Sequence, residues 1–344
     1  MNVNVLTRKL IDIPSVTGDE KSVGEFLATH LAGLGYSIAK QDVGKDRFNV
    51  FATTGTSPRV VFSTHMDTVP PFIKSSEDHE RIYGRGACDA KGIIAAQITA
   101  AERLRSEGVA EIGLLFTVDE EQGSLGAQVA NKLKLERPPE FLINGEPTDD
   151  KLASATKGSL RLNLRTKGRP AHSAYPEQGE SAIEKLLDVL AKIRECAWPE
   201  DELLGQTTCN IGVIGGGTRP NVVPEDAWAQ LQFRLVGGAE PVRKILETAI
   251  GDRAEVECLS EHEPVHLHTT GGFEQCVVRF TTDIPYLSNW GKPLLIGPGS
   301  ILNAHTEHEY VEKRELSEAV DIYARLASAL LAQPARELVE GVSQ

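Results

Sequence analysis

The sequence predicts an α/β protein, a doubly wound parallel sheet interrupted by a smaller inserted α+β layer. Three observations predict it. Apolar runs of strand length alternate with runs of helical spacing toward both ends of the chain, the pattern of βαβ units. The middle of the chain changes to a β-α-β-β-α-β order over about 100 residues, the signature of a ferredoxin-like layer. With 344 residues the chain also exceeds the size at which a single core usually stops growing.

Each element has its own local reason. From Val3 to about Leu34 the apolar spacing is helical in two segments split around Pro14 to Gly18, with Asp19 and Glu20 opening the second. Short strands follow at Tyr36 to Asp42 and Phe48 to Thr53, and Arg59 to Thr64 is a strand that runs into His65. Ile93 to Glu107 carries Ala, Ile and Leu at the spacing of a buried helix. Ile112 to Val118 is an apolar strand stopping at Asp119-Glu120-Glu121, and Phe141 to Asn144 is another, stopping at Gly145-Glu146. Leu160 to Lys167 then alternates as a one-sided strand does, Ser181 to Glu195 is an amphipathic helix, and Cys209 to Ile214 and Ala227 to Val236 are strands. Pro241 to Ile250 is a helix and Ala254 to Leu259 a strand. Pro293 to Ile296 returns as a buried strand, and Leu316 to Leu331 is the last helix. The expected division is therefore a first domain over 1–157 and 263–344, with 158–262 inserted.

A formal charge of -13 argues against nucleic acid or an anionic membrane as partner, since such a surface gains nothing from counterion release. The N-terminal stretch lacks an uninterrupted apolar core of the secretory kind, and no apolar run approaches membrane-spanning length. Five scattered cysteines, none in a CxxC arrangement, suit a reducing cytoplasm and leave a metal to be held by His and carboxylate.

The acids and histidines carry the chemistry. In an open α/β sheet, ligands bind outside the carboxyl ends of the strands. Four expected strands end at His65, at Glu120-Glu121, at Glu146 and near His305, while Asp89 lies in the loop GRGACDAKG that opens a helix. One edge collecting two histidines and four carboxylates is self-repelling unless cations bind there. The donors suit zinc, with cobalt or manganese as substitutes. Two ions bridged by one carboxylate would take His65, Asp89 and Glu146 on one side and Asp89, Glu121 and His305 on the other. Asp67, two residues after His65, is placed to hold the other ring nitrogen. Glu120 is left unligated, as a general base must be.

Seven stretches in order, STHMDTVP, YGRGACDAKG, FTVDEEQGSLGA, NGEPT, GRPAHSAYPEQGESAI, TRPNVVPE and AHTEHEYV, carry a resemblance that runs almost end to end. The chain resembles the dizinc M20 metallopeptidase and deacylase family, which includes acetylornithine deacetylase, succinyl-diaminopimelate desuccinylase and glutamate-releasing carboxypeptidases. The resemblance implies a doubly wound zinc-hydrolase catalytic domain whose inserted ferredoxin-like domain is a lid and dimer surface. It implies two zinc ions per chain on His65, Asp89, Glu121, Glu146 and His305, with Glu120 as base and a cis peptide after Asp89. It further implies that His172 stabilises an oxyanion in a neighbouring active site, and that Tyr175, Asn221, Arg234 and Lys157 meet the substrate. Where many members carry an acid two residues before that arginine, this chain has Gln232.

Several residues look like chemistry without carrying it. The H-x-x-x-E-x-V spacing to Glu309 and Val311 selects His305 over His308. His262, His266 and His268 read as a polar connector, because Pro264 separates the first from the others and no further ligand is evident. Cys88 has no local base to make it a nucleophile. The expected activity is removal of an N-acyl group, acetyl or succinyl, from an amino acid such as ornithine, lysine or diaminopimelate, by a cytoplasmic homodimer. The alternative is a carboxypeptidase or dipeptidase using the same site, and from another class a binding protein, for which an intact Glu120 would serve no purpose.

Overall fold

The structure is a computed structural model that describes residues 1–55 and 57–334. It divides into two compact units. The first comprises Met1–Ser154, Leu267–Cys276 and the described residues from Thr282 onward, and the second comprises Ala155–His266 with Val277–Thr281.

The first unit begins with α1 (Val3–Ile11), whose N-terminus is capped by Asn2 accepting the Val5 N–H, and α2 (Lys21–Gly33). Strands β1 (Ser37–Gly44) and β2 (Arg47–Thr53) form a hairpin. Its two turn residues, Lys45 and Asp46, both have positive φ, the geometry that matches the twist of paired strands. There follow β3 (Val60–His65), α3 (Lys91–Ser106), β4 (Ile112–Thr117), the short α4 (Leu125–Ala130) and β5 (Phe141–Asn144).

The second unit contains β6 (Gly158–Lys167), α5 (Ala182–Glu195), β7 (Thr208–Gly216), β8 (Asp226–Leu235), α6 (Glu240–Ile250) and β9 (Glu255–His262). Its strands lie in the order β7-β8-β6-β9, all antiparallel, which is the interleaved ferredoxin-like arrangement. Leu160, Leu162 and Leu164 of β6 and alternate residues of β8 bury against Leu186, Val189 and Leu246 of the two helices. The chain then returns to the first unit with β10 (Lys292–Leu295) and α7 (Lys313–Leu331), which opens on a reciprocal capping box between Glu312 and Glu315.

The main sheet runs β1-β2-β4-β3-β5-β10. Strands β4, β3, β5 and β10 are parallel, but β2 is antiparallel to both β1 and β4, so the sheet is mixed where the sequence predicts a parallel one. The cause is the two-residue loop at Lys45-Asp46, too short for the crossover that parallel neighbours require. Both faces are covered. Val60, Phe62, Leu114, Phe116 and Ile143 pack with α1, α2, α3 and α7, while the alternating Val61, Leu115 and Leu142 pack with Ala127 and Ala130 of α4 and with Trp290. Helix α3 is buried on nearly every side, which explains its Ala and Ile content. Because β4, β3, β5 and β10 are parallel, their carboxyl ends share one edge. No helix among the described residues is long and apolar enough to cross a membrane.

Candidate active site

His65 is the last residue of β3, fully buried, and its ring is held from both sides. Nδ1 lies 3.0 Å from the Asp67 carbonyl oxygen and 3.4 Å from its carboxylate, and Nε2 lies 2.9 Å from Asp89 Oδ1. Burial acts to lower the basicity of this imidazole, but Asp67 and Asp89 outweigh it and raise its pKa well above the ordinary value. Asp67 does more than orient the ring: its two oxygens accept the backbone N–H groups of Glu120 (3.1 Å) and Glu121 (3.2 Å), and the Thr17 hydroxyl donates to it at 2.8 Å. One buried carboxylate thus ties the end of β3 to the loop after β4.

That loop is fixed elsewhere as well. Asp119 sits in the left-handed region (φ 71°), where its carboxylate takes a 2.8 Å hydrogen bond from buried Arg47, and its carbonyl accepts the Ser124 N–H. Asn49 accepts the Val118 N–H and donates to the Gly126 carbonyl. The loop therefore presents Glu120 and Glu121 from a backbone with little freedom.

Asp89 bridges two histidines, 2.9 Å from His65 Nε2 and 3.3 Å from His305 Nε2, and the Asp89–Ala90 peptide is cis. Glu121 Oε1 lies 3.1 Å from the same His305 nitrogen. His65, Asp89 and Glu121 each offer an atom within 4.8 Å of the others, the spacing of a metal-ligand group. Glu146, just past β5, brings Oε2 to 3.9 Å from His65 Nε2, while its Oε1 is buried with no hydrogen-bond partner. A polar atom so placed costs on the order of 1–3 kcal/mol, more for a charge, unless something fills its coordination. His305, at φ 63°, is half exposed and carries its ring into the cluster from a turn.

The electrostatics follow from this crowding. Burial raises Glu120 and Glu146 well above the usual carboxylate range, and their mutual proximity adds to the shift for Glu120. Burial raises Glu121 too, against the opposing hydrogen bond from His305. Burial likewise acts to raise Asp89, but hydrogen bonds from His305 and His65 prevail and hold it below its ordinary value. Hydrogen bonds to Asp89 and Glu121 lift His305 to about 10. Several acids that cannot all ionise without a counter-charge, one of them with an orphaned oxygen, are what a cation site requires. The residues present fit a metal.

Residues 61–329 match the family model of peptidase family M20/M25/M40. A peptidase M20 domain-containing protein of Schizosaccharomyces pombe is 38% identical over 337 residues, covering 94% of this chain and 84% of that protein. A probable carboxypeptidase of Aspergillus terreus is 38% identical over 369 residues, covering 94% of this chain and 85% of that protein. A tripeptidase of Staphylococcus aureus shares the fold with a TM-score of 0.77 at 20% identity, over 95% of this chain and 98% of its own. The chain belongs to the M20 peptidase family. As an M20 peptidase it is a hydrolase that acts on amide bonds, and the cluster around Asp89 is its candidate metal site.

The M20 chain's remaining expected site residues lie in the second unit. His172, Tyr175 and Asn221 are brought together on exposed loops: His172 bridges to Val222, the Asn221 carbonyl accepts the Ser173 N–H, and the rings of His172 and Tyr175 are 6.4 Å apart. His172 Nδ1 accepts the Ala174 N–H at 3.1 Å, so the neutral ring carries its proton on Nε2 as a donor. Arg234 Nη1 donates to Thr281 at 3.4 Å. Gln232, two residues earlier, spends its amide on Arg161 and Ser159. Lys157 is separate from these: it is buried, and its ammonium donates to the Gln206 carbonyl.

Sequence reasoning missed Asp283 and underused Glu309. Asp283 is buried and accepts the Thr117 hydroxyl at 2.7 Å on Oδ2; burial, opposed by hydrogen bonding from Thr117 and Ser124, puts its carboxyl at about 6. Nothing in TTDIP hints at a partner so distant in sequence. Glu309 was visible in the H-x-x-x-E spacing but served there to pick out His305. His308 is exposed, and the described residues do not bring His262, His266 and His268 together as a metal-ligand group. Burial, with Glu309 and Asp89 nearby, pushes the Cys88 thiol well up, so it stays protonated.

Proposed function

We propose that this M20 chain is a dinuclear metal hydrolase that releases an amino acid from an amide conjugate. The observation that carries the reading is the convergence of His65, Asp89 and Glu121 within 4.8 Å, with Glu146 carrying a buried, unpaired oxygen beside them and Glu120 next to the group but outside it. One ion would be held by His65, Asp89 and Glu146, the other by Asp89, Glu121 and His305, with zinc favoured by the mixture of His and carboxylate. When bound, the pair supplies charge that activates the attacking water and stabilises the tetrahedral oxyanion.

The chain's own residues do the rest. Glu120, raised by burial, takes the proton from the attacking water and returns it to the departing amine nitrogen. Asp67 holds both His65 and the backbone of Glu120 and Glu121, so base and ligands keep a common frame. The Nε2–H of His172 donates to the developing oxyanion in the site of a second copy, the second unit forming the homodimer. Arg234 pairs with the free α-carboxylate of the released amino acid, with Tyr175 and Asn221 shaping the pocket.

The nature of the acyl half divides two readings. Relatives named probable carboxypeptidases favour a peptidyl group. The resemblance to acetylornithine deacetylase and succinyl-diaminopimelate desuccinylase favours acetyl or succinyl on ornithine, lysine or diaminopimelate. Both need the same C-terminal carboxylate, so one screen separates them: zinc-loaded protein against acetylornithine, acetyllysine, succinyl-diaminopimelate and short peptides, following free amine. Turnover of peptides alone selects the carboxypeptidase reading. Silence across the panel with two ions bound overturns the catalytic reading in favour of a binding protein. Five free cysteines accord with a cytoplasmic setting.

A further inference from the structure

A second buried pair, outside the ligand set, connects two of its members. Arg85 and Glu309 form a 2.7 Å ion pair with side chains 2% and 0% exposed. Glu309 Oε1 accepts three backbone N–H groups of one loop, those of Gly86 (2.9 Å), Cys88 (3.3 Å) and Asp89 (3.2 Å). Its Oε2 takes Arg85, and the same guanidinium nitrogen donates to the Thr306 carbonyl at 3.1 Å. One end of the pair therefore grips the loop that carries Asp89, and the other grips the residue that follows His305.

The arrangement matters because the two ends are otherwise unequal. Asp89 is buried, whereas His305 is half exposed, and its ring contacts are the two carboxylates it would share with a cation. Its backbone lies in the left-handed region, which a non-glycine residue holds only when its surroundings enforce it.

We propose that the Arg85–Glu309 pair is a positioning device that sets the distance between Asp89 and His305, and so governs affinity for the ion those two residues share with Glu121. This rests on the two-ion reading above. The pair touches neither substrate nor ion. Partners that orient ligands from outside the coordination shell typically change metal affinity about 10- to 100-fold when removed.

Two substitutions test it. Arg85→Lys keeps the charge opposite Glu309 but replaces the rigid planar guanidinium, whose Nη1 serves Glu309 and Thr306 together, with an ammonium on a flexible stem. Glu309→Gln keeps an acceptor for the loop while turning an amide N–H group toward Arg85. Stepwise zinc titration against a chromophoric chelator, with elemental analysis, should show in each folded variant one ion bound as in wild type and the other weakened by about 10- to 100-fold. His305→Ala gives the reference for losing that ion's histidine outright. A crystal structure of metal-free Arg85→Lys should show the 3.3 Å Asp89–His305 approach opened while His65 stays 2.9 Å from Asp89. Wild-type affinity for both ions in the variants, or equal weakening of both, overturns the positioning role and makes the pair a general prop of the fold. Wild type binding a single ion would instead sink the two-ion reading itself, while an unchanged Asp89–His305 distance in the metal-free variant would sink the positioning role alone.

Discussion

The two units treat their polar residues in opposite ways. In the first, the acids of the cluster are buried or nearly so, and Glu120 and Glu121 are presented by backbone that Asp67, Arg47 and Asn49 hold in place. In the second, His172, Tyr175 and Asn221 sit on exposed loops; Tyr175 is 63% exposed and its partners are mostly backbone. The difference teaches how the work is divided. A site that must hold charge at fixed spacing needs low dielectric and many restraints, whereas groups that meet a substrate or another chain must stay accessible until it arrives. On the proposed function, the acids of the first unit would act within their own chain, and the loops of the second on a substrate or a second copy.

The largest test of this contrast lies within the first unit. Glu120 and Glu121 are neighbours on one restrained loop, yet one is assigned to the proton and the other to an ion. Glu120→Gln should keep its metal and lose at least about three orders of magnitude in rate. Glu121→Gln should lose metal instead. Rates and elemental analysis on the same samples decide it, and a metal-poor Glu120→Gln protein would reverse the assignment.

Both outcomes bear on how much was readable beforehand. Strand ends were legible because short apolar runs stop abruptly at charged residues, as Phe141 to Asn144 does before Glu146. Helix positions were legible from apolar spacing, although α3 begins at Lys91, two residues before its apolar run suggested, because a buried lysine does not resemble a core residue. The clamps were not legible. Arg47 to Asp119, Thr117 to Asp283 and Arg85 to Glu309 join residues far apart in sequence through single side chains, and no local pattern marks such partners. The antiparallel β1–β2 edge was missed for a different reason: alternation of strands and helices elsewhere masked a hairpin signalled only by its two-residue turn.

The next test asks whether the second unit's loops act on another chain. Removing a single oxyanion donor costs about 10²- to 10³-fold, so His172→Ala should be nearly dead, as should Glu120→Gln. Mixed in equal amounts with proven subunit exchange, about half the dimers are hybrids with one complete site in two, and activity should return to roughly a quarter of wild type. No recovery after demonstrated exchange would leave His172 with a within-chain or merely structural role and erase the distinction drawn above.

A smaller effect is expected at Arg234. Its proposed partner is a free carboxylate, and a charge-assisted hydrogen bond contributes about 1.5–3 kcal/mol. Arg234→Ala should therefore raise KM roughly 10- to 100-fold for substrates with a free α-carboxylate and change little for their amides. Equal losses on both would mean that the contact with Thr281 is structural and the arginine does not read the substrate.

The smallest expected effect is at Lys157, and it separates accessible from inaccessible groups inside the second unit itself. The resemblance places Lys157 among substrate contacts, but its ammonium is buried and donates to the Gln206 carbonyl. Burial, with Arg279 nearby, lowers its pKa from 10.5 in the folded chain. The unfolded chain, with the higher pKa, therefore binds more protons between the lowered value and 10.5, so this group makes stability rise with pH across that window and adds no further slope above it. Lys157→Met should flatten that rise in denaturant midpoints measured from neutral pH to about pH 10, while leaving KM within about twofold of wild type, the scatter expected of a residue that does not touch substrate. A KM that climbs as far as that of Arg234→Ala, with the pH slope of stability unchanged, would move Lys157 from the unit's interior architecture to its binding surface.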